Sequence, residues 1–347
     1  MATTESLLVR TPGQRFEKGE VPLRPLTDNS VQIAIKYSGI CHSDIHQARN
    51  EWFPGTFPMV PGHEVAGEVV AVGASVADLK AGDRVGVGTY VDSCRECEYC
   101  LTGKENCCLK GNVQTYNGRH YDGEPSFGGY AREIVVDSRY VFKIPDGLDL
   151  AAAAPLLCAG VTVYTPLRRA NIGRGMRVAV LGFGGLGHLA VRFAAAFGAE
   201  TYVLGQSTNK VADAKVHGAV DYLTTSEAAS QNRNFFDFIL NTTSADLDLD
   251  GLLGMLRVEG ELSNVGLPGK AQSYDPFSII GSIKKISGSN TGSLSETHEM
   301  LDFCAQQSIA ATIEVVNASD TSAIDAAYDD VVASRARYRR VIDAETI

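Results

Sequence analysis

Arg177-Val178-Ala179-Val180-Leu181-Gly182-Phe183-Gly184-Gly185-Leu186-Gly187, followed by His188-Leu189-Ala190-Val191-Arg192-Phe193-Ala194, is the stretch that decides the fold. The first five residues read as a buried strand. The last seven, continuing to Ala199, read as a helix with an apolar face. Between them stands G-x-G-x-x-G. A glycine motif of this kind is weak evidence alone, and the strand before it and the helix after it are the context that gives it meaning. The glycines allow a tight turn and the close approach of a pyrophosphate, which rests on the helix N-terminus. Gly182, Gly184, Gly185, Leu186 and Gly187 are therefore candidate cofactor contacts.

The next strand, Thr201-Tyr202-Val203-Leu204-Gly205, should end in Asp or Glu if a ribose 2′-hydroxyl is to be gripped. Instead Gln206-Ser207-Thr208-Asn209-Lys210 follows. An acid there would repel a 2′-phosphate, whereas a hydroxyl and a lysine accept one. Ser207 and Lys210 thus point to NADP(H) rather than NAD(H). Further β-α units are expected at Phe236–Asn241, Gly260–Gly266 and Lys285–Ser289. Alternating strands and helices imply a parallel sheet. Val265, Ser289 and Asn290 join the candidate cofactor contacts.

Upstream, residues 1 to about 150 read as short strands and turns punctuated by Gly and Pro. Val31–Ile35 alternates as a half-buried strand does, Val65–Val72 is β-rich, and Asp78–Val85 is a turn entering a strand. Within this region lie Cys41-His42-Ser43-Asp44-Ile45-His46 and Gly62-His63-Glu64. A thiolate, an imidazole and a carboxylate form a zinc-type donor set, and a catalytic zinc needs only about three protein ligands because one position stays open. Ser43 and His46 add a hydroxyl and an imidazole able to pass a proton. Cys94-x-x-Cys97-x-x-Cys100, followed by the adjacent pair Cys107-Cys108, suggests a second, closed four-thiolate site of structural type. Leu150 to Gly160 is apolar and helical around Pro155. Its Cys158 is misplaced for the four-cysteine loop and free to complete the first site. Cys304, on a helix expected over about 295–307, reads as core.

The chain has 347 residues, enough for two domains, with 44% hydrophobic and 21% charged residues. A net charge of −10 argues against a broad nucleic-acid surface. Met1–Ser6 carries no basic segment leading into an apolar run, so no signal peptide is expected. The apolar run Leu150–Val163 is too short to span a bilayer. Eight cysteines without a secretory signal suggest metal sites or reduced thiols and a cytoplasmic location.

In combination these residues resemble the zinc-dependent medium-chain alcohol dehydrogenases, and more closely their cinnamyl alcohol dehydrogenase-like branch of NADP-dependent aldehyde reductases. The resemblance covers nearly the whole chain. It rests on Gly39-Ile40-Cys41-His42-Ser43-Asp44, Pro61-Gly62-His63-Glu64, the four-cysteine loop, Pro155-Leu156-Leu157-Cys158-Ala159-Gly160, the glycine turn, and Tyr338-Arg339-x-Val341-Ile342-Asp343. It implies an α/β fold with a GroES-like β-rich catalytic domain over 1–157 and 293–347. A Rossmann doubly wound parallel-sheet domain would occupy 158–292. It implies two zinc ions: a catalytic one on Cys41, His63 and Cys158 with Glu64 as exchangeable fourth ligand, and a structural one on Cys94, Cys97, Cys100 and Cys108. Ser43 and His46 would relay the proton, Thr162 would lie near the nicotinamide, and Arg339 would meet cofactor phosphates. The cofactor would lie in the cleft between the domains, and a homodimer is expected, with residues 273–280 as a possible strand edge.

The implied reaction is hydride transfer between NADP(H) and an aldehyde or primary alcohol, with zinc polarising the substrate oxygen. Polar Gly288–Gly292, at positions where many relatives carry apolar or aromatic side chains, puts bulky aryl alcohols in doubt. Trp52, Phe57 and Asn290 are candidate pocket residues. Two other readings compete. One is an NADPH-dependent C=C or C=N reductase, disfavoured by Ser43 and His46. The other is a non-enzymatic nucleotide-binding structural protein, disfavoured by the full ligand set.

Overall fold

Val178, Ala179 and Val180 are completely buried in the strand Arg177–Leu181. A strand with no exposed face needs cover on both sides, and helices supply it in parallel sheets. The computed structural model, which describes residues 2–347, has that arrangement over Thr162–Thr291. Six strands lie side by side in the order Asp221–Thr224, Glu200–Gly205, Arg177–Leu181, Phe236–Asn241, Leu256–Asn264, Lys285–Gly288. Every neighbouring pair is parallel. The chain order reverses between Arg177–Leu181 and Phe236–Asn241. In doubly wound sheets ligands bind beyond the strand C-termini at such a reversal, and the glycine turn sits there. The core beneath it includes Leu204, Phe236, Ile239, Leu253 and Leu262.

The turn leads into the helix Gly187–Ala196. Glycine is required at 187 by close approach: a Cβ there would lie 2.0 Å from the Gly182 carbonyl oxygen. At Gly184 a Cβ would meet nothing within 4 Å, so the backbone faces open space.

The other unit comprises the chain up to Val161 and again Gly292–Ile347. The break falls after Val161 rather than after residue 157, so Cys158 belongs to this first unit. Its organising strand is Ser30–Ile40, longer than the expected Val31–Ile35, with Val31, Ile33 and Ile35 inward. Val65–Val72 pairs along one edge. The other edge is shared by Glu133–Asp137, against residues 30–34, and Arg339–Asp343, against residues 37–40. Arg84–Val87, Val141–Lys143 and Ile313–Asn317 extend the sheet to seven strands. This is the β-rich part that the resemblance implies, and the last strand of the chain is built into it.

Around Pro155 the chain forms a helix, Leu150–Ala153, a 3-10 turn, Ala154–Leu157, and then the helix Ala159–Arg169. Cys158 stands at the bend between them. The helix after Ser293 runs Leu294–Gln307 and buries Cys304. Residues 273–280 do not form the expected strand edge. Pro276 instead opens a helical turn, Phe277–Ile280, and the sheet edge is Lys285–Gly288. Proline starts helical turns readily and donates nothing to a ladder. Among the described residues no single helix is long and apolar enough to cross a membrane.

Gly187→Ala should destabilise the nucleotide-binding unit by roughly 1–3 kcal/mol through overpacking against a fixed carbonyl. Urea unfolding measures this, and an unchanged midpoint would contradict the packing assigned to Gly187.

Candidate active site and metal centres

The central strand of the first unit ends at Ile40, and Cys41 starts the short helix His42–Ala48. His63 and Glu64 immediately precede the strand Val65–Val72, which pairs with that same central strand. Sheet register thus carries two distant segments to one end of the sheet, and the bend at Cys158 brings a third. Cys41 Sγ and one donor atom each from His63, Glu64 and Cys158 lie within 4.8 Å of one another. His63 Nε2 and Cys158 Sγ are 3.2 Å apart. Two such donors on one zinc, with bonds of about 2.0 and 2.3 Å, lie about 3.5 Å apart. The donor set and its spacing fit a zinc ion.

Asp44, which the sequence reading did not single out, holds this arrangement. It is completely buried. Its carboxylate accepts from Cys41 N at 2.8 Å, Gly62 N at 3.1 Å, His63 Nδ1 at 2.9 Å and Tyr130 Oη at 3.3 Å. Four donors match the four lone-pair sites of a carboxylate. With Nδ1 engaged, Nε2 is the nitrogen left to bind a metal. Burial disfavours a charged imidazole at His63, but the Asp44 carboxylate outweighs it and holds the ring well above its ordinary value. Cys41 is held well below the usual thiol range, first by its hydrogen bond with Cys158 and further by His63. Cys158 is pushed up by Cys41 and by burial. The two thiols resist ionising together, and a dication relieves that conflict.

Glu64 is also completely buried, and burial raises its carboxyl to about 7 against the opposing pull of Arg339. Oε1 accepts from Arg339 Nη2, while Oε2 has no hydrogen-bond partner. A Cβ on Gly39 would lie 1.9 Å from that Oε2, so only glycine leaves room for the carboxylate. The resemblance assigned Arg339 to cofactor phosphates. Here Arg339 is buried in the first unit and donates to Glu64 and to the Ile40 carbonyl at 2.9 Å. A buried guanidinium needs such a partner, and Glu64 provides it.

On the same helix, Ser43 Oγ is 3.6 Å from Cys41 Sγ. His46 follows three residues later, on the same helical face. Its Nδ1 is 2.5 Å from Glu51 Oε2, and its ring stacks on Trp52 with centroids 4.5 Å apart and planes 19° from parallel. Glu51 is the other residue the sequence reading missed; an acid at the foot of a loop carries no pattern that marks it. Trp52, expected as a pocket wall, braces His46. Phe57 is half-buried and packs against the core cluster that contains Ile45 and Tyr130.

The second cluster joins Cys94, Cys97, Cys100 and Cys108, with one sulfur each within 4.8 Å of the others. Cys107 is exposed and outside the group. Cys94 and Cys100 Sγ are 3.9 Å apart. A disulfide needs about 2.05 Å, whereas two thiolates on one zinc lie about 3.8 Å apart. The backbone N–H groups of Cys100 and Leu109 lower the Cys97 thiol to about 6, favouring the thiolate a metal binds.

In the second unit, Gly182–Gly187, Ser207, Lys210, Val265 and Ser289 gather at the strand C-termini. Lys210 Nζ donates to the Phe183 carbonyl at 3.0 Å, which holds the ammonium against the glycine turn. Ser207 Oγ donates to Asn209 Oδ1 at 2.9 Å. Ser289 N bonds the Asn264 carbonyl, and Val265 N the Asn241 carbonyl, both at 3.0 Å. Asn290 is exposed, and Thr162 lies on the helix Ala159–Arg169.

Comparison with known proteins bears on this geometry. The alcohol dehydrogenase GroES-like domain matches residues 27–146, and the zinc-binding dehydrogenase family matches residues 185–306. The chain is 51% identical to a probable formaldehyde dehydrogenase of Bacillus subtilis, over 99% of this chain and 98% of the relative. It is 45% identical to NADP-dependent alcohol dehydrogenase C 1 of Mycolicibacterium smegmatis, over 100% and 99%. The solved structure of CAD from Helicobacter pylori complexed with NADP(H) superposes with a TM-score of 0.92 at 38% identity, covering 99% of both chains.

Asp44→Asn should lower zinc affinity at the Cys41 site by about 10–100-fold. Competition with a chelator measures this, and wild-type affinity would contradict the bracing role of Asp44.

Proposed function

The chain belongs to the zinc-dependent medium-chain alcohol dehydrogenases, in their cinnamyl alcohol dehydrogenase-like branch, and from that membership we infer that its own residues serve a zinc- and NADP(H)-dependent interconversion of an aldehyde and a primary alcohol. The observation that carries this reading is the meeting of Cys41, His63, Glu64 and Cys158 beside a hydroxyl and an imidazole on one helix. Zinc supplies Lewis-acid polarisation of the substrate oxygen, and NADP(H) carries the hydride.

Cys41, His63 and Cys158 hold the ion, and Glu64 stands ready as a fourth donor. Cys94, Cys97, Cys100 and Cys108 hold a structural zinc. Ser43 passes a proton between the substrate oxygen and His46. With Nδ1 of His46 on Glu51, its Nε2 is the atom that takes or gives the proton. Trp52 and Glu51 fix the plane of that ring. Lys210 and Ser207 receive the 2′-phosphate. The relay supports carbonyl chemistry, since a C=C reductase has less use for it.

Two further features belong to this proposal. Phe277, Ile280 and Ile283 are 83%, 68% and 64% exposed, next to the open sheet edge Lys285–Gly288. Apolar exposure beside an unpaired strand favours association with a second copy, so the working form is a homodimer. Eight free cysteines suit a reducing, cytoplasmic compartment. Sedimentation at micromolar concentration should give the mass of two chains; a one-chain mass would exclude the dimer.

The cofactor assignment is tested by turnover of simple aldehydes with NADPH and with NADH. Lys210→Ala should weaken NADPH by roughly 10–100-fold, the loss of a charge-assisted bond, and leave NADH nearly unaffected. Equal losses for both would show that Lys210 does not read the phosphate.

A further inference from the structure

Two groups that contact the His46 ring, Glu51 and Trp52, sit on the loop between the helix His42–Ala48 and Met59, while the His42 ring, on the helix itself, stacks with its centroid 6.1 Å away. The loop is exposed along much of its length. Its far end is secured where Val9 and Met59 exchange backbone bonds at 2.9 Å. Asn50 Oδ1 accepts from Gly55 N at 2.6 Å and closes the loop on itself. Midway, Thr56 N donates to Asn117 Oδ1 at 2.8 Å. The other half of the same amide, Asn117 Nδ2, donates to Gln47 Oε1. Gln47 is the residue after His46. One side chain, from a segment distant in sequence, therefore ties the helix that bears the imidazole to the loop that bears its two braces. Asn117 holds a left-handed backbone, φ 53°, which asparagine tolerates better than most residues.

We propose that Asn117 is a positioning residue for the proton relay, clamping the Glu51–Phe57 loop so that Glu51 and Trp52 lock the His46 ring. The proposal rests on the relay reading above. An imidazole moves a proton efficiently only within hydrogen-bond reach of its partner. Displacement of about 1 Å by a change away from the chemistry can cost on the order of 100-fold. Glu51 N also donates to the His46 carbonyl at 2.8 Å, so without the clamp the loop would keep that bond, the Asn50–Gly55 closure and the Met59 anchor, but lose the tie from its middle to Gln47.

Trp52 is the only tryptophan in the chain, so its emission reports the loop directly. The test uses zinc-loaded protein with Asn117→Gly, which suits the positive φ and removes the amide, and Asn117→Asp. Aspartate keeps an acceptor for Thr56 N, and the Gln47 amide can turn its NH₂ toward the carboxylate. Asn117→Gly should red-shift Trp52 emission, raise its quenching by acrylamide and lower kcat for aldehyde reduction roughly tenfold or more. Its KM for NADPH should stay within about twofold of wild type. Asn117→Asp should recover most of both losses. Wild-type kcat in Asn117→Gly, a lowered kcat with unshifted emission, or no recovery in Asn117→Asp would each overturn the proposal. His46→Ala separates the two levels. Full kcat in that variant defeats the relay reading itself, whereas a slow His46→Ala beside a fast Asn117→Gly defeats only the role of Asn117.

Discussion

A single buried carboxylate sets the geometry from which the rest of the catalytic unit follows. Asp44 receives four hydrogen bonds, one each from Cys41, Gly62, His63 and Tyr130. A carboxylate with no exposure is costly unless every lone pair is used, so the donors cannot drift independently. Removing one partner of such a buried pair typically costs about 3–5 kcal/mol. The consequence reaches both metal-binding segments. Cys41 is fixed through its own amide, and His63 through its ring, which also settles the nitrogen it offers to an ion. Tyr130 ties the carboxylate to the aromatic core with Phe16 and Tyr328. The metal site is thus an extension of the core.

Glu64 and Arg339 repeat the logic on the other side. Both are buried, they pair with each other, and Gly39 is the residue that leaves space for the carboxylate. Because Arg339 opens the last strand of the chain and Glu64 precedes the strand Val65–Val72, their pairing stitches the returning C-terminal segment to the ligand segment. The sheet explains why these residues can meet: Ser30–Ile40 pairs with both strands concerned. Each opposite charge here is neutralised locally, which leaves one carboxylate oxygen without a partner and two thiols in contact with each other and with the His63 ring. That residual demand is what a zinc ion meets.

Much of this was legible in the residues. The glycine turn was readable because its requirement is local: a strand, a tight bend and a helix within about twenty residues. The cysteine loop was readable for the same reason, although its choice between Cys107 and Cys108 depends on which sulfur points inward. The ligands Cys41, His63 and Cys158 were named from the motifs shared with a known family, since a convergence across more than a hundred residues leaves no local trace. What stayed hidden were residues acting through contacts between segments. Asp44 lies inside the stretch read as ligands, yet nothing in the sequence says that its side chain turns inward. Glu51 and Asn117 look like ordinary loop residues. The phosphate role of Arg339 came from the resemblance, and its pairing with Glu64 is a contact between segments that the sequence does not show. Residues 273–280 carry a helical turn after Pro276 rather than the expected strand edge.

The claim on which all of this depends is that Cys158 shares one ion with Cys41 and His63 while the four-cysteine loop holds another. Zinc counted per folded chain, in wild type and in Cys158→Ser, tests it most directly. The account predicts that the two ions corresponding to the two donor clusters fall to one in the variant, with aldehyde reduction abolished and NADPH binding retained. A variant that kept both ions and reduced aldehydes at the wild-type rate would contradict it.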